Sequence, residues 1–462
     1  MMYVSTRGGS EKVDFLAASL AGLAPDGGLY CPETYPAIAP PSPFEGYVVL
    51  AARVMQAFAG DTLSPEIVRG FAERAYAPFA HQSVAPLVQV GAGRWMLELH
   101  HGPTLAFKDV AMRMIAQLYD YVLGQRDERM TILCATSGDT GGAAASAFAG
   151  ASNIDVVILH PEGRVSPTQR IFMTSTGASN IHNLALQGDF DGTQAILKTL
   201  MTDADLKKRS GLAAVNSINW VRVAAQSVYF AQVQAQLGAG RHIRFVVPTG
   251  NFGDALAGYV AYRCGLLSAF DCVAAVNAND AMVRLLDKGV LSKGETHPTL
   301  SPAMDIQAPS NFERFLFEAT GRDAAAVASV YAGFAETGEA RLPQGAPEAM
   351  KQAGLRACAV SDAETTEEMR RTLSETGWLV CPHTAVGLSV ARREAEDCDA
   401  IVTLATAHAA KFPETVEEAL GVTIGLPSRA GDILSREEVY ETGPMSADYV
   451  RDRIDRIVRE QA

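Results

Sequence analysis

The order of apolar and polar residues predicts two kinds of structure along the chain. Over residues 1–90, apolar side chains recur at helical spacing, as at Leu50, Val54 and Phe58, and this region is predicted to be mainly helical. From Met130 onward, short apolar runs are each followed by small or glycine-rich residues and then by a helical period. We interpret seven of these runs as buried strands: 130–135, 154–159, 181–186, 212–215, 243–247, 272–276 and 400–405.

Strands that alternate with helices are typical of βαβ units and of parallel sheets covered on both faces, so we predict an α/β fold. Residues 321–398 differ because they are rich in helical pattern and poor in strand candidates, which indicates an insert. The predicted organisation is therefore a helical N-terminal region over 1–90, an α/β core over 91–320 and 399–430, the insert over 321–398, and a C-terminal helical tail over 431–462.

Composition and charge limit the binding partners, metal sites and location that the chain is expected to have. Of 462 residues, 48% are hydrophobic, enough for a large core, while 52 acidic against 39 basic residues give a net charge of −13. This charge repels a nucleic-acid backbone, so we expect no nucleic-acid partner. Seven widely spaced cysteines without a CxxC pair disfavour a disulfide framework and any zinc or other metal site. The start of the chain has no signal-like pattern and no segment has ~18 uninterrupted apolar residues; we expect a cytoplasmic protein without a membrane partner.

Two glycine-rich turns follow predicted strands, where open α/β sheets bind ligands. The first, residues 136–142, can hold an anion at a helix start, although a simple turn capped by Asp139 or Thr140 would explain it equally well. The second, residues 248–254, lacks the pattern of a nucleotide-binding loop. A cofactor that carries a single phosphate remains possible.

Lys108 follows an apolar pair in the segment HGPTLAFKD and precedes a helical pattern. A lysine held against apolar surface becomes nucleophilic, as Schiff-base chemistry requires. On spacing alone, a surface lysine with a buried stem is the more frequent explanation. Because the same chain also has the two glycine turns, we favour the interpretation of Lys108 as a nucleophile over that of a surface lysine.

These motifs occur together, in order, over nearly the whole chain, and the sequence resembles the longer form of the threonine synthase family. That family belongs to the fold-type-II enzymes dependent on pyridoxal 5′-phosphate (PLP), which are similar to tryptophan synthase β. The motifs are YVSTRG at 3–8, DGGLY at 26–30, HGPTLAFKD at 101–109, SGDTG at 137–141, NSINW at 216–220, PTGNFGD at 248–254, MDIQAPSNFER at 304–314, PHTAVG at 382–387 and ATAHAAKFPE at 405–414.

The resemblance implies two open, mainly parallel sheets with an active site between two sub-domains of the core. It implies that Lys108 binds PLP covalently and acts as the catalytic proton shuttle. The other implied cofactor-binding residues are Asp139, Gly250, Asn251, Phe252, Gly253, Asp254 and Thr406, and the implied substrate-binding residues are Ser137, Thr140, Asn216, Ser217 and Arg222. Without the resemblance, Arg222 could equally be an arginine on a helix surface.

Two positions depart from common patterns. Asp139 stands where many fold-type-II relatives have an asparagine that contacts the O3′ oxygen of the cofactor. An ionised carboxylate would repel that oxygen, so the residue that contacts O3′ stays open. Cys381 stands where relatives commonly have an acidic residue, and we expect this departure to affect local packing more than the chemistry.

The implied reaction converts O-phospho-L-homoserine and water into L-threonine and phosphate, the last step of threonine biosynthesis, by a monomer or homodimer. Three alternatives stay open. A related phospho-lyase would use the same motifs but release an α-keto acid and ammonia. A threonine or serine dehydratase is disfavoured by the insert, and a non-catalytic scaffold is disfavoured by the intact Lys108 and glycine turns.

Overall fold

A computed structural model describes residues 1–136, 138–215 and 217–461. The chain forms two compact units, each assembled from three stretches. The first unit comprises Met1–Glu73, His81–His101 and Ser217–Gly425, and the second comprises Arg74–Ala80, Gly102–Asn216 and Leu426–Ala462. Within the described residues, no helix has the length and apolar character needed to cross a bilayer.

Helices and strands alternate along most of the chain. The strands are β1 (Met2–Ser5), β2 (Val13–Asp14), β3 (Tyr30–Pro32), β4 (Leu87–Gly91), β5 (Arg94–Glu98), β6 (Met130–Ala135), β7 (Ile154–Pro161), β8 (Ile181–Gln187), β9 (Ile243–Pro248), β10 (Cys272–Val276), β11 (Val290–Ser292), β12 (Glu339–Arg341), β13 (Leu355–Ala359), β14 (Ala400–Ala405) and β15 (Glu441–Pro444). The helices are α1 (Phe15–Ala21), α2 (Tyr47–Ala59), α3 (Pro65–Tyr76), α4 (Lys108–Arg126), α5 (Asp139–Phe148), α6 (Pro167–Thr174), α7 (Phe190–Met201), α8 (Ala204–Ser210), α9 (Trp220–Leu237), α10 (Gly253–Arg263), α11 (Ala281–Lys288), α12 (Phe312–Ala319), α13 (Ala324–Thr337), α14 (Ala346–Gln352), α15 (Asp362–Thr376), α16 (Pro382–Arg393), α17 (Pro413–Leu420) and α18 (Ala447–Gln461).

The main sheet of the first unit has six strands in the order β13-β10-β9-β14-β5-β4. All neighbouring pairs are parallel except β4 with β5. Every residue of β9, β10 and β14 is buried, as expected for central strands covered on both faces. A separate sheet, β2-β1-β3, lies in the N-terminal region together with α1 and α2.

The second unit is built on a four-stranded parallel sheet in the order β15-β8-β7-β6. Its core combines apolar residues of the strands with those of α7, α8 and α18. The region predicted as a C-terminal helical tail, 431–462, contains α18, whose Val450, Ile454 and Ile457 face this core.

Six of the seven predicted strands form. Three have the predicted bounds (β6, β10 and β14), and three extend one or two residues further (β7, β8 and β9). The prediction for 212–215 is wrong, because this run makes only an isolated bridge between Ala213 and Ile132. It starts directly after Gly211, which ends α8 in a left-handed conformation, and is too short to extend the pairing. The strands that the pattern missed include β13, which carries Arg356, and β15, which has no apolar run.

The cysteines differ in exposure, which allows a prediction. Cys358 and Cys398 are half-buried and the other five are buried. Burial raises the pKa of Cys31 and of Cys264 to about 12, and the thiolate is the reactive form. Burial also raises the pKa of Cys398. We therefore expect a thiol reagent at neutral pH to modify Cys358 first and Cys398 more slowly in the folded chain, and all seven cysteines after denaturation, as measured by peptide mass spectrometry. Early modification of Cys31 or Cys264 would contradict this.

Candidate active site

The backbone turn before Lys108, in the second unit, is held by the buried carboxylate of Asp109. Thr104 donates its backbone N–H to Asp109 Oδ2 at 2.8 Å and its hydroxyl to Oδ1 at 2.7 Å. Between them, Leu105 adopts a left-handed conformation with φ +59° although its side chain is fully buried. Both carboxylate oxygens are thus engaged in stabilising the turn, which presents Lys108 as the first residue of α4.

The side chain of Lys108 is largely buried and faces Asp139. Its Nζ lies 3.3 Å from Asp139 Oδ2 and 4.9 Å from the centre of the Phe107 ring. The other oxygen of Asp139 accepts a hydrogen bond from Gln169 Nε2 at 3.4 Å. The structure therefore brings together two predicted residues, Lys108 and Asp139. It adds Gln169 on α6, which no pattern in the sequence marked.

The first glycine turn is organised by Thr136. The hydroxyl of Thr136 accepts hydrogen bonds from the backbone N–H groups of Gly138, at 2.9 Å, and Gly141, at 3.1 Å. Gly138 precedes α5 with φ +148°, and a Cβ at this position would lie 2.7 Å from the Gln169 side chain, so only glycine fits.

The suggested capping of α5 by Asp139 or Thr140 is wrong. Both residues lie inside the first turn of the helix, and the N-cap is Gly138. Asp139 is buried and Thr140 half-buried. Ser137, which the resemblance assigns to substrate binding, lies outside the described residues.

The second glycine turn joins β9 to α10 in the first unit. Its left-handed residue is Phe252, with φ +63°, whose buried ring packs against Phe312 and Phe315 at centroid distances of 6.2 and 5.6 Å. Such a conformation costs about 1–3 kcal/mol for a residue with a side chain, and the ring packing stabilises it. Gly250 serves a different need, because a Cβ there would lie 2.5 Å from the carbonyl oxygen of Ala303.

Two residues of the motif MDIQAPSNFER hold this loop. Asn311 donates its backbone N–H to the Asn251 carbonyl at 3.0 Å and its side-chain amide to the Ser217 carbonyl at 3.0 Å. The Ser310 hydroxyl donates to Asn251 Oδ1 at 3.2 Å and lies 3.2 Å from the Ser217 hydroxyl. The predicted residues Asn251 and Ser217 are therefore brought together through Ser310 and Asn311. Sequence reasoning quoted their motif but assigned them no role, and Asn216 lies outside the described residues.

Asp254 lies in the first turn of α10, directly after Gly253, and its buried side chain accepts a hydrogen bond from the Tyr229 hydroxyl. Burial, together with the Asp254 carboxylate, raises the pKa of Tyr229 well above its usual value. The carboxylate is engaged with Tyr229, and the backbone N–H groups at the start of α10 form the kind of site that binds anions.

Thr406 directly follows β14 and is buried. β14 pairs in parallel with β9, so Thr406 and the loop after β9 leave the sheet at the same edge. This is the edge at which open α/β sheets bind their ligands.

Arg222 lies in the first turn of α9 and is only 4% exposed, so the surface interpretation of this arginine is wrong. The N-cap of the helix is Asn219, whose side chain accepts a hydrogen bond from the Val221 N–H at 3.0 Å and donates one to the Ser19 carbonyl at 2.7 Å. A capped helix start with a buried guanidinium can bind a phosphate group.

Three family models match the chain. A pyridoxal-phosphate-dependent enzyme model covers residues 85–335, a threonine synthase N-terminus model covers 2–76, and a threonine synthase C-terminal model covers 384–454. Together they reach both units, and the first covers the Lys108 turn as well as the loop after β9.

Individual relatives agree with these matches. The chain is 43% identical to threonine synthase of Pseudomonas aeruginosa, over 95% of this chain and 94% of that protein. It is 35% identical to the human protein named threonine synthase-like 2, over 93% of this chain and 91% of that protein. The crystal structure of PLP-bound threonine synthase from Brucella melitensis superimposes with a TM-score of 0.95 at 44% identity, covering 99% of this chain and 100% of that one. The predicted fold-type-II α/β architecture is thereby confirmed, and the chain belongs to the threonine synthase family of PLP-dependent enzymes.

Proposed function

We propose that the protein converts O-phospho-L-homoserine and water into L-threonine and phosphate, with PLP as its cofactor. The observation that carries the proposal is the largely buried Lys108–Asp139 pair, with Nζ 3.3 Å from the carboxylate, in a chain that matches threonine synthases along almost its whole length. The product is L-threonine, so the reaction belongs to threonine biosynthesis.

The residues present fit PLP. Lys108 offers an amine on a largely buried side chain, Gly250 allows a close backbone approach beside the start of α10, and Thr406 is a buried residue that offers a hydroxyl. We assign Lys108 to the covalent link, the loop 250–254 to the cofactor phosphate through its backbone N–H groups, and Thr406 to the pyridine nitrogen. When bound, PLP supplies an electron sink for the negative charge that develops at the substrate Cα.

Proton transfer is the task of Lys108. Its amine takes one proton from the substrate Cα and then one from Cβ, and phosphate leaves from Cγ. Protons then return to Cγ and to Cα, and water adds its hydroxyl group at Cβ while its proton passes to the released phosphate. Asp139 faces this amine, and Gln169 holds the second carboxylate oxygen. We propose that Asp139 orients the lysine amine, a role that avoids the repulsion expected between a carboxylate and the cofactor O3′ oxygen.

Substrate recognition is assigned to Arg222, Ser217 and Thr140, together with Ser137 and Asn216. Arg222 is the cation in this set, and its buried position strengthens a bond to an anion because little water competes. The leaving phosphate gains charge as the reaction proceeds, so a guanidinium contact stabilises the transition state more than the ground state.

Replacing Arg222 with alanine is expected to lower kcat/KM for O-phospho-L-homoserine by ~10- to 100-fold, since a hydrogen bond to a charged group is lost. PLP content should stay normal. The matched control is Arg209→Ala, because Arg209 is partly exposed on α8 and pairs with Asp455. If the Arg222 variant loses PLP in proportion to its loss of activity, Arg222 belongs to the cofactor site instead of the substrate site.

One assay separates the alternatives. The purified protein is supplied with O-phospho-L-homoserine while phosphate, threonine and α-ketobutyrate are measured together. Phosphate and threonine in equal amounts support the proposal, whereas phosphate with α-ketobutyrate indicates the phospho-lyase. A parallel reaction with threonine as the substrate tests for a dehydratase, which would release α-ketobutyrate without phosphate. A colourless protein that does not bind PLP would indicate a scaffold.

We also propose that the protein acts in the cytoplasm as a monomer or homodimer, without a nucleic-acid partner. None of the seven cysteines, all within the described residues, forms a disulfide, and reduced thiols are typical of that compartment. The net charge of −13 disfavours binding to nucleic acid. Sedimentation analysis would decide between the two oligomeric states.

A further inference from the structure

The proposed phosphate-binding loop packs closely against residues 301–306 of the same unit. A Cβ at Gly250 would lie 2.5 Å from the Ala303 carbonyl oxygen, 3.4 Å from Ile306 Cγ1 and 3.5 Å from Met304 Cα. The Ala303 carbonyl oxygen is therefore the atom nearest to the side-chain position of Gly250. The orientation of that peptide determines where the backbone of Gly250 can lie.

One end of segment 301–306 is held by a polar cluster around Asp305. Asp305 Oδ1 accepts hydrogen bonds from the Thr299 hydroxyl at 2.7 Å, Asn277 Nδ2 at 2.8 Å and Asn279 Nδ2 at 3.0 Å. The two asparagines follow β10, the strand next to β9, and are buried almost completely. The cluster thus anchors the segment to the sheet edge from which the phosphate loop emerges.

The other anchor is His383, in the first turn of α16. The backbone N–H of Ala303 donates to His383 Nε2 at 3.2 Å. The ring is 3% exposed and its centroid lies 4.8 Å from that of Phe412. Because Nε2 accepts, it carries no proton in this arrangement. The backbone N–H of Ala303 is thus held by the imidazole, while the carbonyl of the same residue lies against Gly250.

We propose that His383 is a positioning residue for the cofactor phosphate, acting through Ala303 on the Gly250 loop. The inference rests on the proposed role of loop 250–254. It gives a role to the histidine of the motif PHTAVG, for which the sequence indicated none. His383 is expected to affect recognition of the phosphate rather than of the rest of the cofactor, because it binds Ala303, the residue that lies against the phosphate loop.

The test compares two ligands that differ only in the phosphate. Apo-protein is titrated with PLP and with pyridoxal. The dissociation constant for pyridoxal divided by that for PLP measures the contribution of the phosphate, and this quotient is called the ratio below. His383→Phe keeps an aromatic ring beside Phe412 but removes the acceptor, so the ratio should fall by ~10-fold, mainly through weaker PLP binding. His383→Gln places an acceptor at a similar distance from the backbone and should restore the ratio to within ~3-fold of the original.

Controls separate this inference from the proposed function. His242→Phe makes the same exchange just before β9, at the opposite end of the strand from the loop, and should leave the ratio unchanged. Gly250→Val tests the loop itself: if its ratio is unchanged, the assignment of the phosphate loop is wrong. If Gly250→Val lowers the ratio and His383→Phe does not, the role of His383 alone is overturned.

Thermal unfolding of each apo-variant identifies any that fail to fold. Should His383→Phe be one of them, the pair His383→Gln and His383→Asn decides, because the shorter asparagine holds its acceptor away from the Ala303 N–H. A lower ratio for asparagine than for glutamine supports the proposal, and equal ratios overturn it.

Discussion

Replacing Lys108 with alanine is expected to lower kcat/KM by at least ~1,000-fold, since one residue supplies both the covalent link to PLP and the base that moves protons. The turn that carries Lys108 should survive the change. It is held by Asp109 and Thr104 through backbone and side-chain bonds that do not involve the lysine. The variant is therefore expected to fold, which thermal unfolding can check.

Steady-state kinetics with O-phospho-L-homoserine measures the loss. Borohydride reduction of the PLP-loaded protein, followed by peptide mapping, should place the cofactor on the peptide that contains Lys108. Lys198→Ala is the control, because Lys198 is an exposed lysine in the last turn of α7 and has no proposed role in the site. Labelling of a different lysine, or full activity of the alanine variant, would refute the assignment of Lys108.

Replacing Gly250 with valine is expected to weaken PLP binding by at least ~100-fold, since overpacking by several carbon atoms costs more than the addition of a single methylene. The added Cβ would lie 2.5 Å from the Ala303 carbonyl, which is backbone and cannot rotate away as a side chain would. Either the loop or residues 301–306 must move. The N–H groups proposed to bind the phosphate are then displaced.

Gly425→Val is the matched control for this experiment. Gly425 belongs to the same unit, and a Cβ there would have no atom within 4 Å. Equilibrium dialysis or absorbance titration with PLP gives the affinities, and circular dichroism compares the secondary structure of both variants. A Gly250 variant that folds and binds PLP as tightly as the original would exclude the loop from phosphate binding.

The central strands could be predicted because a parallel sheet buries both faces, which requires an unbroken apolar run. The runs at 272–276 and 400–405 became interior strands of the six-stranded sheet with those bounds. Edge strands lack this requirement. β13 carries Arg356, which pairs with Asp271 and Glu394, so its sequence does not resemble that of a buried strand. Its place in the sheet depends on β10, more than 70 residues earlier.

The candidate site divides in a similar way. The motif HGPTLAFKD and the glycine turns made Lys108 and the loop 250–254 candidates, because a nucleophilic lysine and a backbone anion site need particular residue types at short spacing. The resemblance to the family added Asp139. The contact of Gln169 with Asp139 joins residues 30 positions apart, and that of His383 with Ala303 joins residues 80 positions apart. No local pattern encodes such pairs.

The sequence by itself determined the family, the fold class, the central strands and the chemical types of the proposed catalytic groups. Only the tertiary structure decided that the left-handed residue of the loop is Phe252 rather than a glycine, that Gly250 is required by the Ala303 carbonyl, and that Arg222 is buried. The physical reason is that residue type and local spacing limit which conformations a segment can adopt. Burial, close approach and hydrogen-bond partners depend on segments that are distant in the chain and meet only after folding.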